Sequence, residues 1–120
     1  RRQRQQEMLT EMLNQTVTAD ALDYLAELPS GSVNMVLTSP PYNVSRRYLD
    51  APGADNLNFI FYMGWLTMVV SECARIFKEG GVLFLQVGST KDENGTLLPI
   101  DMALHDTIRR LGLTLQSRIV

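Results

Sequence analysis

The stretch Val33-Asn34-Met35-Val36-Leu37-Thr38-Ser39-Pro40-Pro41-Tyr42-Asn43 decides the fold of this chain, because an apolar run passes directly into a pair of prolines. Val33 to Thr38 is short, mostly apolar and preceded by the turn residues Pro29-Ser30-Gly31-Ser32. That is the pattern of a strand buried in a parallel sheet, not of an alternating surface strand. Pro40 and Pro41 have no N–H to give and fix two φ angles, so the strand must end there, with the following chain held stiff and extended.

Outward from this segment, the sequence alternates helix and strand patterns. Residues 1–13 read as a helix, with Met8, Leu9, Met12 and Leu13 between arginines and glutamines. Residues 15–19 read as a short strand around Val17, and Asp20 stands where that strand gives way to a helix over Ala21 to Leu28, either as its N-cap or in a binding role. A polar segment, Ser45 to Asn56, reads as a loop. The longest helical pattern runs from about Asn56 to Lys78, with Leu57, Phe61, Trp65, Met68 and Val69 on one stripe and Val70, Cys73, Ile76 and Phe77 widening it. Glu79-Gly80-Gly81 is expected to end that helix, Val82 to Val87 to form a second buried strand, Leu97 to Leu111 a third amphipathic helix capped by Gly112, and Leu113 to Val120 a last strand. Alternation of this kind calls for an open, mostly parallel α/β sheet, in which ligands sit beyond the carboxyl ends of the strands. Asp20, Ser39-Pro40-Pro41-Tyr42 and Gly88-Ser89 are expected at three such ends.

Composition bounds the function. At 120 residues, 45% hydrophobic and 20% charged, the chain is unlike a disordered tail, a collagenous repeat or a coiled coil. No uninterrupted apolar run approaches the ~20 residues of a membrane span, and the Arg1, Arg2 and Arg4 start lacks the apolar core of a signal peptide. A cytoplasmic protein with no membrane association is expected. Cys73 and His105 are the sole cysteine and histidine, which argues against disulfides and against a Cys/His metal site. Cys73 reads as a small buried hydrophobe, Trp65 as core and His105 as a surface or half-buried residue. A net charge of −2 gives no global signature of nucleic-acid binding, so phosphate contacts would have to be local.

The parts offered by Ser39 to Tyr42 suit a planar group with an exocyclic amine. The Ser39 oxygen and the Pro40 carbonyl are acceptors for the amine hydrogens, and Tyr42 adds a flat aromatic face on a stiff backbone. Such an amine is a poor nucleophile, because its lone pair is delocalised. Orienting that pair towards an activated methyl group offers catalysis without a strong base.

Thr38-Ser39-Pro40-Pro41-Tyr42-Asn43 after an apolar strand resembles the catalytic motif of the amino DNA methyltransferases, which move a methyl group from S-adenosyl-L-methionine to the exocyclic amine of cytosine or adenine. Asp20-Ala21-Leu22, Leu25, Leu28-Pro29 and Ser32-Val33 are similar to the N-terminal segment of the permuted, beta-class members, whose catalytic half precedes the cofactor-binding half. Tyr62, Trp65, Arg75, Phe77-Lys78 and Gly80-Gly81-Val82-Leu83-Phe84 extend the similarity, which covers roughly residues 16–88.

The resemblance implies a Rossmann-like methyltransferase sheet, mostly parallel with helices on both faces. Residues 1–120 would be the catalytic portion, 1–13 an N-terminal helix and 15–120 the α/β part. It gives Ser39, Pro40, Pro41 and Tyr42 catalytic roles at a flipped base, Asp20, Ala21 and Ser39 contacts with S-adenosyl-L-methionine, and Asn43, Arg46 and Arg47 contacts with nucleic acid. Double-stranded DNA is the implied partner, in a prokaryotic cytosol and with no metal. Serine at the first motif position favours cytosine N4 over adenine N6.

Two family features are missing. The chain has neither a glycine-rich turn following a cofactor strand nor the acidic residue for the ribose. In the permuted order both lie further on, as does the target-recognition region. The sheet is therefore expected to be incomplete, with apolar edges exposed, and the chain inactive without the remainder of the enzyme or a complementary subunit. Two other readings compete. Methylation of a protein glutamine amide usually carries Asn in place of Ser39 and has its cofactor motif upstream. A non-catalytic methyltransferase-like module for DNA binding or assembly would be marked by loss of Ser39, Pro40 or Tyr42, and all three are present.

Overall fold

A computed structural model describes residues 2–40, 59–91 and 94–118. The element order is α1 (Arg2–Met12), α2 (Ala21–Glu27), β1 (Val33–Thr38), α3 (Phe59–Ile76), β2 (Phe77–Leu85), β3 (Ser89–Lys91), β4 (Leu97–Pro99) and α4 (Ile100–Arg110). β1 has the bounds that the turn before it and the prolines after it dictate.

β1 and β2 pair in parallel, with Met35 opposite Val82, Leu37 opposite Phe84 and Thr38 opposite Leu85. The pairing continues beyond the strands, where the Gln86 N–H donates to the Thr38 carbonyl at 2.9 Å. α3 supplies the crossover that parallel neighbours require. It passes straight into β2 at Phe77, so Glu79-Gly80-Gly81 lies inside the strand rather than ending the helix. The segment forms a bulge, because the ladder advances from Val33 to Met35 on β1 while running from Phe77 to Val82 on β2. Gly80 takes a positive φ of 80°, and a Cβ on Gly81 would stand 2.7 Å from the Phe77 side chain. Both positions require glycine, and the bulge is what requires it.

The core sits where α3 meets α4. Tyr62, Leu66, Ile100 and Leu104 are fully buried, with Met63, Trp65, Leu85, Val87 and Ile108 packed against them. Burying side chains of this size stabilises the fold by about 1.5–3 kcal/mol each. Val70, Cys73 and Ile76 continue the buried stripe along α3. This stripe differs in phase from the sequence expectation: Phe61 is 72% exposed and Met68 54% exposed, while Tyr62 and Leu66 turn inwards. By length and composition alone, the 18 residues of α3 would also suffice to cross a membrane. Its buried stripe is the face that a crossover helix turns to its own sheet and neighbouring helices.

Three expectations need correction. Residues 15–18 form no strand, and 113–118 have no regular structure. Val17 and Leu115 are exposed, and neither segment pairs with a strand among the described residues. The third helix begins later than its periodicity suggests, because Leu97–Pro99 pairs antiparallel with Ser89–Lys91 before Ile100 opens α4. Gly112, in the left-handed region, follows the last turn of α4, and the Leu113 N–H closes back on the Ile108 carbonyl at 3.3 Å.

Candidate active site

The C-terminal edge of the β1–β2 pair carries Ser39 and Pro40, two of the residues that chemistry singled out. β1 ends at Thr38, leaving Ser39 exposed and Pro40 buried. An exposed hydroxyl beside an anchored proline presents acceptors to a ligand without exposing a backbone donor. The neighbouring strand ends at the same level, because Gln86 hydrogen-bonds Thr38 and the chain then runs through Gly88, whose carbonyl accepts the Ile100 N–H at 3.2 Å. Two of the three expected strand ends thus lie side by side. The turn at Gly88-Ser89 is occupied by the β3–β4 hairpin, with Thr90 buried within it.

Asp20 stands at the start of α2. No strand precedes it; it is the N-cap of α2, with Oδ1 accepting the Asp23 N–H at 3.0 Å. α2 leads into the start of β1 and α3 leads into the start of β2, and Val33 at the first start pairs with Phe77 at the second. The C-terminal ends of both helices therefore lie together at the strand starts, at the other end of β1 from Ser39. Asp20 is exposed, and its capping bond uses one oxygen, so the carboxylate keeps acceptor capacity for another donor. Ala21 is the first residue of the helix and is also exposed. Pro41, Tyr42, Asn43, Arg46 and Arg47 lie outside the described residues.

A set of contacts that sequence reasoning missed ties α2, the turn before β1 and the end of α3 together at the strand starts. Arg75, in the last turn of α3, donates from Nε to Glu72 Oε2 at 2.8 Å, from Nη1 to Ser30 Oγ at 3.1 Å and from Nη2 to the Leu25 carbonyl at 2.8 Å. The main chain adds two bonds at the same place: Gly31 N–H to the Arg75 carbonyl at 3.2 Å and Ser32 N–H to the Ile76 carbonyl at 2.7 Å. The sequence signal was Glu72 three residues before Arg75 on one helical face, a spacing that pre-orients the guanidinium.

Elsewhere, burial and then the Glu72 charge push the Cys73 thiol above its ordinary range, which keeps it neutral. Among the described residues no group of three or more His, Cys, Asp or Glu side chains is arranged to hold a metal ion.

Comparison with known proteins fits this edge into a family. The family model described as N6_N4_Mtase, DNA methylase, matches residues 33–120, starting at β1 and running through α4. The chain belongs to the N6/N4 DNA methylase family. Its relatives include the type II methyltransferase M.BglII of Bacillus subtilis, 32% identical over 108 residues, with 90% of this chain and 29% of the relative covered. The DNA adenine methyltransferase YhdJ of Escherichia coli is 29% identical over 107 residues, covering 87% of this chain and 31% of YhdJ. Among solved structures, TTHA0409 of Thermus thermophilus, a candidate DNA modification methylase complexed with S-adenosyl-L-methionine, superposes with a TM-score of 0.62 at 27% identity. That match covers 81% of this chain and 40% of TTHA0409. The methylase chain thus spans under a third of each of these two curated relatives. The family match also reaches past residue 88, where the motif resemblance had faded into pattern alone.

Proposed function

We propose that this chain carries the amine-binding part of a DNA methyltransferase that uses S-adenosyl-L-methionine and acts on a base flipped out of double-stranded DNA. The observation that carries the reading is the end of β1 in a chain of this family: an exposed Ser39 and a buried Pro40 at the carboxyl edge of a parallel pair. The Ser39 oxygen and Pro40 carbonyl accept the hydrogens of an exocyclic amine, which turns its lone pair out of conjugation with the ring. Tyr42 stacks on the base, Pro41 keeps the segment stiff, and Asn43, Arg46 and Arg47 meet the nucleic acid backbone. Flipping is required because an amine paired within a duplex is out of reach.

The residues present fit one part of the cofactor. Asp20 offers a carboxylate oxygen for the adenine amine, with Ala21 beside it, and Ser39 faces the reacting end; the chain has no glycine-rich turn for the methionine part. When bound, the cofactor supplies an electrophilic methyl group. The rest of the enzyme, in the same polypeptide or as a complementary subunit, supplies the glycine turn and the reading of DNA sequence. The setting is a prokaryotic cytoplasm, with no membrane or metal involved.

Serine at the first motif position supports cytosine N4 as the acceptor. The similarity to YhdJ, named as an adenine methyltransferase, supports adenine N6 as the second reading. Transfer of a labelled methyl group to DNA by the intact protein tests the proposal. Ser39→Ala and Tyr42→Ala are expected to reduce transfer by about 10²-fold or more; transfer unchanged in both overturns it.

A further inference from the structure

α2 is held to the rest of the fold in an uneven way. It packs against α3, with Leu22 and Ala26 facing Thr67 and Met68 across a shallow groove, and makes no comparable contact with β1 or β2. Its link to the start of β1 consists of the short turn through Pro29, Ser30 and Gly31 and the side chain of Arg75. The turn is closed by Ser32 Oγ donating to the Pro29 carbonyl at 2.6 Å. Arg75 then joins three elements: Glu72 in its own helix, the Leu25 carbonyl in the last turn of α2, and Ser30 in the turn. Leu25 is already the acceptor for the Leu28 N–H at 3.1 Å, so the guanidinium engages an atom fixed by the helix end. A planar guanidinium oriented by Glu72 holds a direction as well as a distance, which a lysine could not do.

Asp20 sits at the opposite end of α2, about 7.5 Å along the axis from Leu25 at 1.5 Å per residue. Leu22 and Ala26 seat α2 on α3, and Arg75 fixes its C-terminal end; without that fixed end the helix can turn on the α3 contact and shift Asp20, while Ser39 stays in place at the end of β1. We propose that Arg75 is a positioning residue, setting the Asp20 end of α2 relative to Ser39 and so governing how well the cofactor is held. This role rests on the reading of Asp20 as a cofactor contact given above.

The test is a double-substitution cycle on the intact protein, measuring the dissociation constant of S-adenosyl-L-methionine by calorimetry together with KM and kcat. Arg75→Gln is expected to weaken cofactor binding roughly tenfold and to raise the cofactor KM more than it lowers kcat, while Asp20→Ala weakens binding on its own. In the Asp20→Ala background, Arg75→Gln is expected to cost little further affinity, because the group being positioned has gone. Ser30→Ala removes one of the three contacts without disturbing the helix end, and gives a smaller loss of the same kind should Arg75→Gln fail to fold. Arg75→Lys is expected to fall between wild type and Arg75→Gln. Unchanged affinity in Arg75→Gln, or losses that simply add in the cycle, overturns the positioning role alone. Absence of cofactor binding by the unsubstituted protein overturns the methyl-transfer reading and this role with it.

Discussion

The two faces of the β1–β2 pair present opposite surfaces. On the side of α3 and α4, Leu85 packs against a core in which Tyr62, Leu66, Ile100 and Leu104 are fully buried. On the other, Met35, Leu37, Val82 and Phe84 form a contiguous apolar patch, with Leu37 75% exposed and Phe84 53% exposed. Strands apolar on both faces belong in a sheet covered on both faces. The described elements therefore complete one layer of the fold around the site edge and leave the second layer open, in keeping with a chain that spans under a third of M.BglII and of YhdJ.

Substitutions on the two faces should therefore have very different costs. Leu66→Ala empties a fully buried position and is expected to destabilise this chain by about 2–5 kcal/mol in denaturant melts. A cost under about 1 kcal/mol would mean that the α3–α4 core is not what holds the fold. Gly81→Ala comes next, at about 1–3 kcal/mol, since the new methyl group would collide with Phe77 at the entrance to the bulge. Leu37→Ser and Phe84→Ser, on the open face, are expected to stay within about 0.5 kcal/mol of wild type and to improve solubility. A cost matching that of Leu66→Ala would erase the contrast between the faces.

Ionisable groups sharpen the same contrast at smaller scale. Cys73 belongs to the closed side, so a thiol reagent should label it only as the chain unfolds; fast labelling of the native protein would show that side to be open. With the thiol pKa raised by folding, its contribution is fully present below the ordinary thiol range and is lost as pH rises through the folded value. Asp101 behaves in the opposite sense. The Arg118 Nε, 2.6 Å from Asp101 Oδ2, lowers its pKa, so the pair contributes above the ordinary carboxylate range and loses that contribution as pH falls through the folded value. The pair is partly exposed, and Asp101→Asn should shift acid unfolding least of all these changes.

Local chemistry made part of the fold legible. Val33 to Thr38 lies between a glycine turn and two prolines, and its bounds follow from backbone rules alone. Asp20 was read as either a cap or a ligand, and its side chain does cap α2 while retaining acceptor capacity. Where the sequence misled, the missing information was tertiary. α3 is apolar around most of its circumference, so a period of 3.6 could not choose between the Phe61–Met68 stripe and the Tyr62–Leu66 stripe; α4 makes that choice. The Val17 and Leu115 segments have strand-like composition, but a strand exists only with a ladder partner. The Arg75 clamp spans fifty residues in sequence, from Leu25 to the end of α3; the local Glu72–Arg75 spacing announces the oriented guanidinium but not its partner on α2.

The central claim is that the edge formed by Ser39 and Pro40 receives an exocyclic amine of a base in DNA. The most direct measurement is nucleoside analysis of DNA incubated with the intact protein and isotopically labelled S-adenosyl-L-methionine. The account predicts label on an exocyclic nitrogen, cytosine N4 before adenine N6, and its loss with Ser39→Ala. Label on a ring carbon, or on nitrogen at an undiminished rate in the Ser39→Ala protein, would contradict it.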